Sequence, residues 1–267
     1  MKRTTIPALA LAALMPVAAS AQSAQDWQFR ASLYAYLPSI GGNLAFPVRS
    51  GDASVTVHPD DLLDELNFAF MGTFEANNGR FGLFTDIMYL DVSGSSSGTR
   101  NFQVGGRDIP ASVTGDLDLT IKGTAWTIAG EYRVASSPEF TMDALLGARL
   151  IDVRPKLSWS LAGDVATIPT AGRAGNYEIK ASNWDAIVGL KGRYTFGDAR
   201  AWFVPFYADV GAGESDLTWQ AAAGVGYSFR WGDVLALWRY LGYNMKSGQP
   251  VEDINFNGPM IGVTFKW

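Results

Sequence analysis

The chain has 267 residues and a formal net charge of −5, with 48% apolar, 13% aromatic and 18% charged residues, 29 glycines and no cysteine. Lacking thiols, it forms no disulfide staple and no thiolate metal site. The acidic balance argues against a nucleic-acid partner, which would demand a basic patch.

At the N-terminus, Lys2 and Arg3 precede a short apolar core, Ile6 to Ala18, interrupted by Pro7 and Pro16. Ala19-Ser20-Ala21 then fits the small-residue rule for signal-peptide cleavage. The stretch is shorter than the ~20 residues of a spanning helix. Cleavage after Ala21 leaves residues 22–267, which is 267 − 21 = 246 residues, expected to form one exported domain.

The first mature segment alternates: Trp27, Phe29, Ala31, Leu33, Ala35 and Leu37 against Gln28, Arg30, Ser32, Tyr34 and Tyr36. A period of two is the strand signature. A soluble sandwich also alternates, so this strand alone does not decide the class. Between it and the next strand lies Val57 to Leu66. There Asp60, Asp61, Asp64 and Glu65 surround Leu62 and Leu63, with Pro59 placed for a helix start. A short helical turn is expected, either solvated at a rim or folded into a mouth as a constriction.

Leu66 to Asn77 is the second strand, with Phe68, Phe70 and Phe74 on one face and Glu75 on the other. Asn78-Gly79 is a strong hairpin signal. Arg80 to Asp91 returns, setting Phe81, Leu83, Ile87 and Tyr89 against Gly82 and Asp86. Gly94 to Gly98 reads as the opening of a polar loop. The fourth strand, about Leu117 to Val134, sets Trp126, Ile128 and Tyr132 against Glu131 and Arg133.

Ser136-Ser137-Pro138 turns into a fifth strand with Phe140, Met142, Leu146 and Leu150 opposite Asp143, Gly147 and Arg149. Next, Trp184, Val188, Leu190 and Tyr194 oppose Asp185, Gly189, Lys191 and Arg193. After the Gly197-Asp198 turn, Trp202, Val204, Phe206 and Val210 oppose Tyr207 and Asp209. Trp219, Val225, Tyr227 and Phe229 then oppose Gln220, Gly224 and Gly226, and beyond a Trp231-Gly232-Asp233 turn Trp238 and Tyr240 face away from Arg239. In the last eleven residues, Pro259, Ile261, Val263, Phe265 and Trp267 share one face, with Gly258, Met260, Gly262, Thr264 and Lys266 on the other.

About ten strands (8–12) result, joined alternately by short and mostly longer connections. Segments of ~10 alternating residues separated by turns are the signature of a transmembrane barrel. The expected fold is all-β: a closed, antiparallel, up-and-down transmembrane barrel. An even count places both termini at one end. The connection near Gly211 to Asp216 is short for an outer loop.

One face of nearly every strand is apolar with aromatic ends, as membrane girdles require. The other carries the lumen-lining candidates Arg30, Glu75, Asp86, Glu131, Arg133, Asp143, Arg149, Asp185, Lys191, Arg193, Asp209 and Arg239, six acids and six bases. Bare charges in a narrow barrel are costly, so pairing is expected. Inward glycines, Gly123, Gly147, Gly189, Gly224, Gly226 and Gly262 among them, either make room for bulky neighbours or leave a lumen open.

Catalytic signals are few. The sole histidine, His58, lies near Asp60 and Asp61, but no Gly-x-Ser-x-Gly motif occurs. The chain is expected not to be an enzyme, and it carries no metal-ligand spacing, nucleotide fingerprint or other sign of a cofactor.

The terminal strand ending on Phe265 and Trp267 resembles the insertion signal of bacterial outer-membrane β-barrels. The whole mature chain is similar to small barrels of that kind, loosely the outer-membrane protein A barrel and the W-type porins. It looks closest to a barrel group without assigned activity, sharing DLLDELNFAFM at 61–71 and DVGAGESDLTWQ at 209–220. The resemblance implies an outer-membrane location in a Gram-negative cell. It also implies contact with lipid and lipopolysaccharide, and handling by periplasmic chaperones and the barrel-assembly machinery. Three roles follow as expectations: a narrow porin-like channel for small solutes or ions; as the alternative, a structural or surface-interacting barrel with a plugged, salt-bridged interior; and, third, a barrel hydrolase. Solute, oligomeric state and surface partner are not encoded in any of these signals.

Overall fold

The structure is a computed structural model that describes residues 27–44, 53–57, 66–98, 103–104, 107–108, 114–162, 173–178, 180–197, 199–247 and 251–267. The proposed signal peptide and the acidic stretch 58–65, with His58, Asp60, Asp61, Asp64 and Glu65, lie outside the described residues.

Fifteen strands occur in the described chain: β1 (Gln28–Tyr36), β2 (Ser39–Leu44), β3 (Ala53–Val57), β4 (Leu66–Asn77), β5 (Phe81–Gly98), β6 (Gln103–Val104), β7 (Arg107–Asp108), β8 (Thr114–Ser136), β9 (Phe140–Ala162), β10 (Arg173–Glu178), β11 (Ala181–Phe196), β12 (Trp202–Gly213), β13 (Ser215–Ser228), β14 (Gly232–Met245) and β15 (Val251–Lys266). Ten of them, β1, β4, β5, β8, β9 and β11 to β15, form an antiparallel ring in that order, closed by β1 against β15. The alternation of large apolar and charged side chains dictates this closure, because only a ring leaves no open edge in lipid. The termini meet there, with Phe29 and Trp267 exchanging backbone hydrogen bonds of 2.9 and 3.1 Å.

The register fixes the barrel's shape. Following paired residues from Phe29 once round the ring leads through Ala76, Leu146, Val210 and Asn255 to Gly41, a displacement of 41 − 29 = 12 residues. Twelve rises of ~3.3 Å against ten spacings of ~4.8 Å tilt the strands by about 40° and give a backbone radius of about 10 Å. Side chains from opposite walls of such a tube can meet.

Four tight turns close one end. At the first, the Asn78 N–H donates to the Phe81 carbonyl (2.9 Å), and Gly79 takes φ +87°, which a side chain would resist. The others are Ser137–Phe140, Gly197–Arg200 and Phe229–Gly232. At the other end the strands run on. β5 has 18 residues and β8 and β9 have 23 each, against ~10 needed to span. The Gly/Ser-rich segment 94–98, expected as loop, instead pairs with residues 115–119 of β8. Small, hydroxylated residues are tolerated there because a long partner strand supplies the whole ladder. The β2–β3 hairpin and β10 extend the same end, as does the separate β6–β7 pair in the chain between β5 and β8. The short connection at 211–216 is real, with β13 starting one residue after β12.

The six inward glycines divide. Gly123 has open space around it, whereas an added Cβ at Gly226 would lie 2.2 Å from the Phe203 ring, and one at Gly189 would lie 2.6 Å from Asp209. Most of these glycines make room for a neighbour. Accordingly, Gly226→Leu is expected to prevent the compact, heat-modifiable band on electrophoresis, and the double variant with Phe203→Ala to recover it. A folded single variant would contradict this packing.

Candidate functional site: the barrel interior

Burial is inverted relative to a soluble protein. Leu146, Leu83 and Ile261 are 73%, 60% and 60% exposed, whereas Arg149 and Asp185 are 1% exposed. Aromatic residues concentrate at two levels of the exterior. Near the turns, Phe29, Phe74 and Trp267 cluster, as do Trp202, Tyr227, Phe229 and Trp231. Towards the long-strand end, Phe68 contacts Tyr89, Trp126 meets Trp184 and Trp219 stacks on Tyr240 at 4.3 Å. Trp184 to Tyr194 on β11, and Trp219 on β13 to Phe229 just beyond its end, are each ten residues apart. At a 40° tilt this separates the girdles by about 25 Å, the height of the apolar band in outer-membrane barrels.

All twelve sequence-predicted charges point inward. Strand parity, preserved through the membrane band, guarantees this. They form layers. Near the turns, Lys191 on β11 crosses the lumen to Glu75 on β4 (2.6 Å) and to Glu131 on β8. Arg133 pairs with Asp143, its neighbour across the β8–β9 ladder. Arg30 lies 3.7 Å from Glu75. At the rim, Arg193 and Lys266 share the Asp233 carboxylate at 3.0 and 2.6 Å, and Arg193 lies over the Phe203 ring, 3.7 Å from its centre.

A middle layer lies above. Arg149 engages both carboxylate oxygens of Asp209 and donates to Thr127 (3.0 Å). Arg239 donates to Asp86 (2.7 Å), Gln220 (2.8 Å) and the Tyr34 hydroxyl (3.0 Å). The Tyr34 hydroxyl in turn donates to Asp86. Two-oxygen contacts and added donors are what let buried ion pairs offset their desolvation.

Beyond this layer, towards the long-strand end, an apolar cluster fills the interior, with the buried Asn183 and Ser215 packed against its Met245. Tyr36, Met71, Met88, Ile151, Leu241 and Phe256 belong to one buried cluster. The Tyr36 hydroxyl donates to the Arg239 carbonyl (3.1 Å), tying the cluster to the ion-pair layer. Asp185 stands apart from the other acids: it accepts from the Ser215 N–H (2.8 Å) and makes no ion pair among the described residues.

Sequence reasoning missed several participants. Tyr34, Tyr36 and Gln220 sit on the polar faces that the alternation marks, but being uncharged they carry no signal beyond it. Asp233 was read as turn, although β14 begins one residue earlier. Lys266 was placed on the correct face without being taken as part of the interior. The turn-side half also holds a cavity of about 200 Å³, bounded by Arg30, Tyr34, Lys191, Arg193, Tyr207 and Arg239 among others.

No protein-family description and no curated protein matches the sequence. Among solved structures, the chain is similar to the outer membrane protease OmpT from Escherichia coli (8% identity, TM-score 0.49, covering 93% of this chain and 99% of that one). It is also similar to Ail, the attachment invasion locus protein of Yersinia pestis (10%, 0.30, 90% and 98%), and to Neisserial surface protein A (13%, 0.28, 90% and 97%). The membrane assignment rests on the exterior itself. A closed, even-stranded ring with an apolar band, two aromatic girdles and short turns at one end is an integral bacterial outer-membrane barrel.

Arg149 and Asp209 furnish a test of the layered interior. Asp209→Leu should destabilise the barrel by about 3–5 kcal/mol, because Arg149 loses its buried partner, while Arg149→Met with Asp209→Leu should recover most of that loss. Urea unfolding in lipid vesicles measures both; equal losses in single and double variants would contradict the pairing.

Proposed function

We propose that this outer-membrane barrel is a non-conducting one, and that it works through the wall it raises beyond the membrane. One observation carries the reading: the lumen is crossed by side chains at successive levels. The Lys191 bridge, the Arg149–Asp209 and Arg239–Asp86 pairs and the apolar cluster around Tyr36 and Leu241 follow one another along the axis. With a backbone radius of about 10 Å, two facing long side chains fill the diameter. Of the three expected roles, the plugged structural or surface-interacting barrel agrees with this interior better than the porin-like channel.

The tall strands support the second half of the proposal. About a dozen residues of β8 and of β9 stand beyond the upper girdle. Among the described side chains there, Lys122 binds Asp91 (2.8 Å) and Arg154 binds Asp152 (2.8 Å). In bacterial barrels the end opposite the short turns faces outward, so this wall meets lipopolysaccharide and whatever the cell encounters. The proposed role is non-enzymatic. Phe265 and Trp267 face outward on the closing strand, where they are available to the barrel-assembly machinery before β1 pairs with β15.

In planar bilayers the refolded mature protein is expected to be electrically silent while migrating as a folded barrel. Steady, discrete conductance steps would overturn the proposal in favour of a channel.

A further inference from the structure

The outer face of β8, β9 and β11 carries a charge pattern that packing does not require. At the foot of the tall wall, Lys122 on β8 pairs in register with Arg154 on β9. The registers on either side of residue 180, Glu178 with Lys156 and Ala181 with Val153, are the same, so Lys180 stands opposite Arg154. Three cations thus form one row across three neighbouring strands, at a spacing of about 5 Å. Like charges directly opposed in a sheet destabilise it. The three side chains are 52%, 53% and 69% exposed. By strand parity they share the exterior with Trp126, Leu150 and Trp184, each four residues nearer the membrane.

Carboxylates neutralise the row only in part. Asp91 lies 2.8 Å from Lys122, Asp152 2.8 Å from Arg154 and Glu178 3.5 Å from Lys180. All three pairs lie at the surface, where such bridges contribute little. In the next row out, Lys156 faces Glu178 in register and makes no ion pair among the described residues. Four cations, Lys122, Arg154, Lys156 and Lys180, therefore stand against three acids, in a chain whose net charge is −5. Asp118, in register with Ser158, lies one row beyond and bounds the basic patch.

Towards the membrane the patch passes into an apolar surface. Below Thr124, Asp152 and Ser182, the rings of Trp126 and Trp184 meet edge to face at 5.8 Å across Leu150. One row deeper, Ala148, Ala186 and Ala212 are neighbours in register, which leaves the surface shallow beside Ile128. At a rise of ~3.3 Å and a tilt of about 40°, four residues raise Lys122 above Trp126, and Lys180 above Trp184, by about 10 Å. That is the depth of the headgroup layer, and long basic side chains reach down into it.

We propose that this face binds one phosphorylated glycolipid of the outer leaflet, the lipid A part of lipopolysaccharide. Its phosphate is held by Lys122, Arg154 and Lys180, and its acyl chains lie over Trp126, Leu150, Ala148 and Trp184. Phosphate oxygens relieve the repulsion within the row and match the arginine fork. The site rests on the outward orientation of the tall wall in the proposed function, and it turns general contact with lipopolysaccharide into a defined site on three strands.

Native mass spectrometry of the refolded protein in detergent with EDTA, titrated with purified lipid A, tests this. One retained lipid A per barrel is expected. Lys122→Gln, Arg154→Gln and Lys180→Gln together should weaken retention at least tenfold, whereas Arg80→Gln, beside the Asn78-Gly79 turn, should leave it unchanged. Lipid A stripped of its phosphates should bind at least tenfold more weakly, and so should phosphatidylglycerol. Retention indifferent to the triple substitution would overturn the proposal, as would equal retention of phosphatidylglycerol. Binding that needs added magnesium and is lost with Asp91→Asn and Asp152→Asn would also overturn it, by assigning the contact to bridged carboxylates. Should the triple variant lose the folded band, acetylation of the wild-type barrel decides. Protection of Lys122 and Lys180 by lipid A, without protection of Lys246, supports the site; equal labelling with and without lipid A refutes it. Conductance is read separately, so a silent barrel that fails to retain lipid A removes this site and leaves the closed lumen standing.

Discussion

The structure depends on ion pairs that cross the lumen. Removing a charge from water costs several kcal/mol, and within the band where Leu146 and Ile261 face lipid the protein has only its interior in which to place charged side chains. That cost is offset where opposite charges reach one another directly. Lys191 achieves this by bridging β11 to β4 and β8, and Arg149 by engaging both oxygens of Asp209. A wider ring would separate these partners and a narrower one would crush them. Strand number, register displacement and interior charge are therefore a single constraint.

Glycine placement follows from the same geometry. Phe203 can lie beneath Arg193 because Gly226 offers no side chain on the neighbouring strand, and Asp209 can reach Arg149 because Gly189 gives way. Small residues on the inner face thus set where large ones meet. The ion pairs gather in the turn-side half and the middle, and the apolar cluster towards the long-strand end. A cavity of about 200 Å³ lies in the turn-side half, reaching from Arg30 and Arg193 to Arg239.

A barrel closed in this way has two faces available for function. Outside, the long β5, β8 and β9 wall carries its own surface ion pairs and stands clear of lipid. Inside, the cavity of about 200 Å³ lies in the turn-side half. In the proposed reading, the side-chain layers between these faces serve recognition rather than passage.

The sequence by itself determined the class of fold, a strand count of about ten, the tight turns at Asn78-Gly79 and Trp231-Gly232, and the alternation that sets the twelve charges on the face opposite the large apolar residues. Each is encoded locally: a period of two survives in any stretch of ten residues, and a turn is written in two or three. The tertiary structure alone decided which charges meet. Lys191 and Glu75 are 116 residues apart, and Arg239 and Asp86 153, so their pairing follows from register and curvature rather than from spacing. It also decided that the Gly/Ser run at 94–98 is strand, since a ladder partner can hold residues whose own preference is weak. Most of all, it decided whether the inward glycines mean space or packing. The sequence left both open, because the side chains that fill these spaces, Phe203 beside Gly226 and Asp209 beside Gly189, come from neighbouring strands whose register only the closed ring fixes.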